Sequence, residues 1–374
     1  MKLDEIFSQV PDFRVVNRSD HKLSDILVIS LCGVISGAED FEEIAEYGRQ
    51  KQSFLEGFLE LPNGIPSHDT FNRVFRFLDK SAYQQVLINW SSEIITHLKE
   101  LEEDESRLIN IDGKVLRATG ERGKKTAALC LVSAWVSEHC LSLGQVKVAK
   151  KSNEKTAIPE LIEAIDIDGA MVSIDAMGCH ATIAELIIEN KGDYLLALKK
   201  NQKSLYEEVH DWMISRKSTF EQYSHTDYVG GRIEKRTAYV TQNIQFIDAL
   251  ENWPDCKSII MVVCEREFKN GKQKTTRQTK FYVSSAVKSA QIFQRYTQNH
   301  WSIENQLHWY LDVVFNEDRQ RVRMDNAPDN MAITRKMALQ LLLANKGKSS
   351  LKKVRKRAGW NDEFLMEVLK SVAA

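Results

Sequence analysis

Asp112, Asp175 and Glu304 are the residues of this chain whose types and settings suggest joint chemistry. Asp112 follows Leu108-Ile109-Asn110-Ile111 and precedes Gly113-Lys114, and Asp175 follows Met171-Val172-Ser173-Ile174. Both apolar, β-branched runs have the pattern of buried strands, so both carboxylates are expected at strand ends. Glu304 lies in His300-Trp301-Ser302-Ile303-Glu304-Asn305, inside a helical pattern. A carboxylate at the end of a buried strand is costly unless it meets a cation or a hydrogen-bond donor. Three such groups from distant segments can converge on a divalent ion, Mg2+ or Mn2+, the usual equipment for phosphodiester chemistry. Two ions ~3.5–4 Å apart would keep adjacent carboxylates from repelling each other, activate a water or a 3′-hydroxyl, and stabilise the leaving oxygen. Taken singly, each acid has a plainer reading. An Asp after a strand commonly caps a turn or a helix, and Asp112-Gly113 is itself a turn signal.

The elements that must position these acids follow from periodicity. Residues 1–100 read as helices: Leu23-Ser24-Asp25 opens a run through Ile35 with Ser24 as its N-cap, and Glu39 to Phe58 is amphipathic. Ile65 to Leu78 reads as a turn and a helix. Asn72, Arg73 and Arg76 could face DNA there, but an ordinary bundle helix fits the acidic surroundings better. Glu102-Glu103-Asp104-Glu105 marks a linker, so a helical domain is expected over 1–106. Arg107–Ile111, Ala127–Val136 and Leu141–Ala149 then predict a meander. Helix Glu154–Ile165, strand Met171–Asp175, helix Ala181–Asn190, strand Tyr194–Leu198 and helix Gln202–Ile214 follow. This is the chain order of the ribonuclease H-like α/β fold, a mixed sheet with helices on both faces. In that order Asp112 and Asp175 sit on neighbouring strands. Residues 215–283 read as a β-rich insertion, with strands at Thr237–Val240, Ser258–Cys264 and Gln278–Ser284 and a polar turn at Phe268-Lys269-Asn270-Gly271-Lys272. A long helix from Ala286 to Phe315 carries Glu304. Trp301, Glu304, His308 and Asp312 recur on one of its faces. Trp301 could stack on an unpaired base, whereas Trp309 reads as core. His308 could touch phosphate or orient a carboxylate, or be a buried neutral imidazole.

Charge is informative by its distribution. The net charge is -1, yet residues 1–106 carry 20 Asp and Glu against 10 Lys and Arg, and residues 332–374 carry 10 Lys and Arg against 3 acids. A basic tail over 346–374 follows a catalytic domain over 107–345. The cluster Lys352, Lys353, Arg355, Lys356, Arg357 suits DNA phosphates, and a solvated face is the plain alternative. The six cysteines form no CxxC pair and read as reduced thiols of a cytoplasmic protein without structural zinc. No secretory signal is evident, and Ile26 to Ile35 is too short to span a membrane.

Several motifs occur in a familiar order: Ile111-Asp112-Gly113-Lys114, Lys151-Ser152-Asn153-Glu154-Lys155, Ile174-Asp175-Ala176-Met177-Gly178, Asp193 to Gln202, Gly231-Arg232-Ile233-Glu234-Lys235-Arg236 and His300 to Trp309. Together they resemble the H-repeat-associated transposases of bacterial insertion sequences, within the DDE transposase superfamily, from about Leu23 to about Leu369. The resemblance implies cleavage and strand transfer at element ends, with Asp112, Asp175 and Glu304 as a metal-binding triad. It implies double-stranded DNA as partner, at both element ends and target, and a homo-oligomer on that DNA, nucleoid-associated when bound. Lys199, Lys200 and Arg232 are further DNA-contact candidates. Two departures stand out. Gly230-Gly231-Arg232 replaces the usual His-Gly-Arg, and if that histidine helps bind DNA its loss is expected to weaken activity. Tyr296 keeps the first member of a Tyr, Arg, Glu, Lys signature, but His300 and Leu311 stand where arginine and lysine are expected. The same triad would serve a nuclease without strand transfer. An inactive DNA-binding relative is the alternative from another class, and the intact triad argues against it.

Overall fold

The computed structural model describes residues 3–15, 19–97, 106–120, 127–149, 154–268 and 275–371. The acidic linker Glu102–Glu105, the motif residues Lys151–Asn153 and the turn residues Lys269–Lys272 lie outside them. Helices come first: α1 (Leu3–Ser8), α2 (Leu23–Ser36), α3 (Phe41–Gln50), α4 (Gln52–Leu55), α5 (His68–Phe77) and α6 (Lys80–His97). The run Ile26 to Ile35 forms the centre of α2 and is buried throughout. Ser24 does not cap this helix. Burial of Leu23 draws the start back one residue, and Lys22 holds the N-cap without a side-chain bond. At α5, Ser67 does cap, accepting from the Thr70 amide at 3.3 Å.

The sheet comes next: β1 (Leu108–Leu116), β2 (Leu129–Val136), β3 (Leu141–Lys147), β4 (Met171–Ile174), β5 (Asp193–Leu198), β6 (Glu221–Val229), β7 (Arg232–Thr241), β8 (Ser258–Phe268) and β9 (Thr276–Ser284). Helices α7 (Glu154–Ala164), α8 (Ala181–Glu189) and α9 (Lys203–Arg216) are interleaved among them. Strand order is β3-β2-β1-β4-β5-β9-β8-β7-β6 in one nine-stranded sheet. β1 runs antiparallel to β2 and parallel to β4, and β4 runs parallel to β5. The first five strands have the ribonuclease H-like order. The 215–283 segment does not build a layer of its own. Its strands extend the same sheet outward from β5, beginning with β9 antiparallel to it. β6 is not evident from the sequence because its Gln-Tyr-Ser-His-Thr-Asp run is polar on an outermost strand, where one neighbour suffices.

After the sheet come α10 (Ala290–Asn299), a π-helix (Ile303–His308), α11 (Trp309–Val313), α12 (Ala327–Ala344), α13 (Leu351–Trp360) and α14 (Asp362–Lys370). The continuous helix expected from Ala286 to Phe315 is therefore broken. The Asn299 carbonyl accepts from the side chains of Asn110 and Ser137, at 3.2 and 3.3 Å. The chain tightens there, with Trp301 N–H reaching the Gln298 carbonyl and Ile303 N–H the His300 carbonyl.

Side chains alternate across each strand, and this divides the sheet into two faces. Ile109, Ile111, Val172, Ile174, Leu196, Phe281 and Val283 pack under α7, α8 and α9. Leu108, Met171, Leu195, Ala238, Ile260 and Tyr282 face α10. The same alternation puts Asp112, Lys114, Asp175, Lys199, Glu234 and Lys280 on the α10 side. A third core joins α1–α6 to α11–α14. The basic stretch forms α13 and α14, which pack on the amino-terminal helices. Arg355, expected to meet phosphate, is buried instead. Its guanidinium donates to the carbonyls of Val34, Ala38 and Val314, which satisfy it within the core. No helix among the described residues is long and apolar enough to cross a membrane.

Candidate active site

The parallel register of β1 and β4 ends at Ile111 opposite Ile174. Asp112 and Asp175 are the next residues on each chain, side by side at the edge of that pairing. Asp112 is not at a strand end, as the sequence suggested. β1 continues to Leu116 by pairing with β2 alone, because Val115 and Leu116 keep a partner on that side. Asp175 leaves its strand. One of its oxygens accepts from the Met177 amide at 2.9 Å and caps a short 3-10 turn. The plain capping role is therefore real, and it occupies one oxygen only.

The loop before Glu304 is pinned to these two strands. Asn110, two residues before Asp112, donates to the Asn299 carbonyl and to Ser302 Oγ at 3.3 Å. Ser173, two residues before Asp175, shares a 2.8 Å hydrogen bond with His300 Nδ1. Tyr296 OH is tied to the Ser106 backbone, accepting its N–H at 3.0 Å. His300, at the signature's arginine position, is thus a clamp between sheet and helix. Burial, with the nearby Lys280 ammonium, pushes its pKa down to about 4, so it is neutral at neutral pH.

Glu304 is the second residue of the π-helix, a widened turn that recurs at functional sites. It is exposed. Partial burial and then the Asp175 charge raise its carboxyl, while Lys280 and Lys199 work the other way. Glu304 and Asp175 therefore share one electrostatic neighbourhood. On the next turn His308 Nδ1 stands 3.6 Å from Asp112 Oδ2. Burial and the charges of Lys114 and Lys336 drive its pKa down to about 3. A neutral, largely buried imidazole thus stands beside Asp112, outside hydrogen-bond distance. One turn further, Asp312 binds Lys114 Nζ at 2.6 Å, and Lys114 also binds Glu317 at 2.9 Å. Glu317 is 1% exposed and has Arg335 at 3.9 Å. Lys114, two residues beyond Asp112, therefore ties β1 to the helix that carries Glu304.

The cations expected at the site divide. Lys199 and Lys200 are exposed beyond β5, and Lys352, Lys353, Lys356 and Arg357 are exposed on α13. Arg232 pairs with Glu234 at 2.6 Å, with its side chain 41% exposed. Lys280, which the sequence motifs do not single out, lies over the Trp301 ring at 4.0 Å and neighbours Glu304. Its period-two position on β9 was the available signal. Trp309 is half exposed, so it is not the core residue expected.

Among the described residues no three His, Cys, Asp or Glu side chains stand close enough to hold one ion. The donors that could do so are carboxylate oxygens, the hard ligands that suit Mg2+ or Mn2+. Asp112 and Asp175 fit such an ion as neighbours on adjoining strands. A ligand from Glu304 requires that exposed side chain to turn toward them.

The family described as "Transposase DDE domain" matches residues 103–341, and the one described as "DDE_Tnp_1-associated" matches residues 5–91. "H repeat-associated putative transposase YhhI" of Escherichia coli strain K12 is 36% identical over 374 residues, covering 98% of this chain and 97% of that protein. "Inactive transposase YbfQ" of the same strain is 48% identical over 73 residues, 20% of this chain and 87% of that protein. A solved piggyBac transposase, in a synaptic complex with hairpin DNA, aligns with TM-score 0.44 and 11% identity over 98% of this chain and 78% of that one.

Proposed function

Since the chain belongs to the family of the transposase DDE domain, we propose that it cuts DNA at insertion-sequence ends and joins those ends to target DNA. Asp112, Asp175 and Glu304 act as its acidic triad. The observation that carries this reading is the register of β1 and β4, which sets the two aspartates side by side, with Glu304 in the field of Asp175.

A bound Mg2+ or Mn2+ supplies charge neutralisation and activation of the attacking hydroxyl or water. Asp112, Asp175 and Glu304 would hold it. The rest falls to other groups of the chain. His308, kept neutral, stands beside Asp112. Lys114 fixes the spacing between β1 and the Glu304 helix. Lys280 and Lys199 flank Glu304 with positive charge, where the phosphodiester needs a counterpart. Exposed Lys352, Lys353, Lys356 and Arg357 reach phosphates farther along double-stranded DNA. Two ends must be processed together, so the working form is a homo-oligomer on DNA.

The test is divalent-dependent nicking and joining of DNA bearing the cognate end. Asp112→Ala, Asp175→Ala and Glu304→Ala should each abolish both while leaving the fold intact. Folded variants that all cut as well as wild type would refute the triad. Cutting without joining would reduce the protein to a nuclease, and binding without cutting would make it an inactive relative.

A further inference from the structure

A groove of about 480 Å3 runs between α10, the π-helix and the outer half of the sheet. Its lining includes Arg232, Arg236, Arg266, Lys280 and Trp301, with Glu234 among them. The alternation of β7 explains the assembly. Arg232, Glu234 and Arg236 point to one face, and Glu234 faces Asp227 on β6 and Arg266 on β8. Two carboxylates directly opposite each other repel, so cations must intervene. Glu234 is 1% exposed and binds all three guanidiniums: Arg232 Nε at 2.6 Å, Arg266 Nε at 2.9 Å, and Arg236 Nη2. Arg236 reaches Asp227 with its other nitrogen, at 2.6 Å. Burial alone would raise the Glu234 carboxyl, but Arg236, Arg266 and Arg232 outweigh it and hold it below its usual range.

Charge does not balance in this cluster. Glu234 and Asp227 oppose Arg232, Arg236, Arg266 and Lys280, so positive charge is left over in the groove. Lys280 extends it toward Glu304. A cluster serving stability alone would need no surplus cations, and mutual repulsion would splay them unless one buried anion held them. We propose that Glu234 is a positioning residue, holding the guanidiniums of Arg232, Arg236 and Arg266 in one row that binds the phosphodiester backbone of DNA beside Glu304. This rests on the transposase reading for its ligand. It also accounts for the Arg-Ile-Glu-Lys-Arg segment at 232–236 as a single device.

The experiment measures binding of the full chain to mixed-sequence duplex DNA over a salt series, with chelator present so that no cleavage enters. The combined change Arg232→Gln and Arg266→Gln should lower the slope of log affinity against log salt by about 0.9 for each phosphate no longer neutralised. Glu234→Gln removes a negative charge, so simple electrostatics expects tighter binding and a slope at least as steep. Positioning expects a shallower slope and weaker binding, partly restored in Glu234→Asp. Tighter binding by Glu234→Gln with an undiminished slope would overturn the proposal, as would an unchanged slope in the double arginine variant. Thermal unfolding verifies the fold. Should Glu234→Gln fail to fold, the arginine pair decides the groove, and Glu234→Asp, set against wild type, decides the positioning. A wild type that binds with the expected slope but does not cut its ends would refute the transposase reading and leave the groove standing.

Discussion

Replacing Lys114 by Met keeps most of the side chain's apolar stem and removes the charge that joins β1 to the Glu304 helix. Two carboxylates are left without this partner, and their fates differ. Asp312, 37% exposed, can turn to water once its 2.6 Å ion pair is gone. Glu317, 1% exposed, cannot. Removing one member of a fully buried ion pair costs about 3–5 kcal/mol. Arg335 and Lys336 remain near Glu317, so the loss expected here is about 2–4 kcal/mol. Urea unfolding at neutral pH measures it. The effect should depend on pH in a stated direction. Burial disfavours the Glu317 charge, but Lys114, Arg335 and Lys336 prevail and hold its pKa below 4.5. A depressed carboxylate contributes stability above its unfolded pKa and loses it as pH falls through the folded value. The gap between wild type and variant should therefore narrow below about pH 4.5. Adding Glu317→Gln to Lys114→Met should cost less than the two single changes summed, since the partners couple. A single variant within about 0.5 kcal/mol of wild type, or strict additivity, would refute the argument.

Other outcomes follow from particular side chains. His300, with its pKa down to about 4 in the fold against 6.5 as the ordinary value, binds its proton less tightly folded than unfolded. Stability should thus fall by roughly 2–3 kcal/mol as pH drops from 6.5 toward 4; His300→Gln should flatten that part of the urea-monitored profile, and an unchanged profile would count against the clamp. Arg355→Met should destabilise by about 2–4 kcal/mol by orphaning buried carbonyls and leave the DNA salt slope unchanged. Neutralising Lys352, Lys353, Lys356 and Arg357 together should do the reverse, with the slope falling by as much as about 0.9 per residue. Gly359→Ala would bring a Cβ to 2.7 Å from the Ser36 carbonyl oxygen; a melting experiment should show a loss of about 1–3 kcal/mol as α13 is pushed off α2.

Much of the sheet that carries the two aspartates was legible because its signals are local. The apolar, β-branched runs at 107–111 and 171–175 marked both strands, though not the continuation of β1 to Leu116, which rests on its pairing with β2. Chain order then made them neighbours. The break after Asn299 was not legible. It depends on side chains of Asn110 and Ser137 reaching a carbonyl from elsewhere in the chain, and helical periodicity alone runs straight through it. Arg355 misled for a related reason. Five cations in six positions look like a solvated patch, yet one of them faces inward at helical spacing with Leu351, Val354 and Ala358. Trp309 was misplaced because the widened π-turn rotates every residue after it. Lys280 belongs to a strand whose exposed half is polar, and only the folded chain shows that it leans over Trp301.

The shared core of α1–α6 and α11–α14 bears on how the chain is made. Synthesis proceeds at ~5–20 residues per second, so the roughly 210 residues between α6 and α11 separate the two halves of that core by about 10–40 seconds. During this interval α2 has no α12 or α13 to cover its apolar side. Nascent chains stalled before residue 345 should be cut by protease within residues 23–36, and the released full-length chain should resist. A chain cut short before residue 345 would accordingly aggregate rather than persist as a soluble fragment.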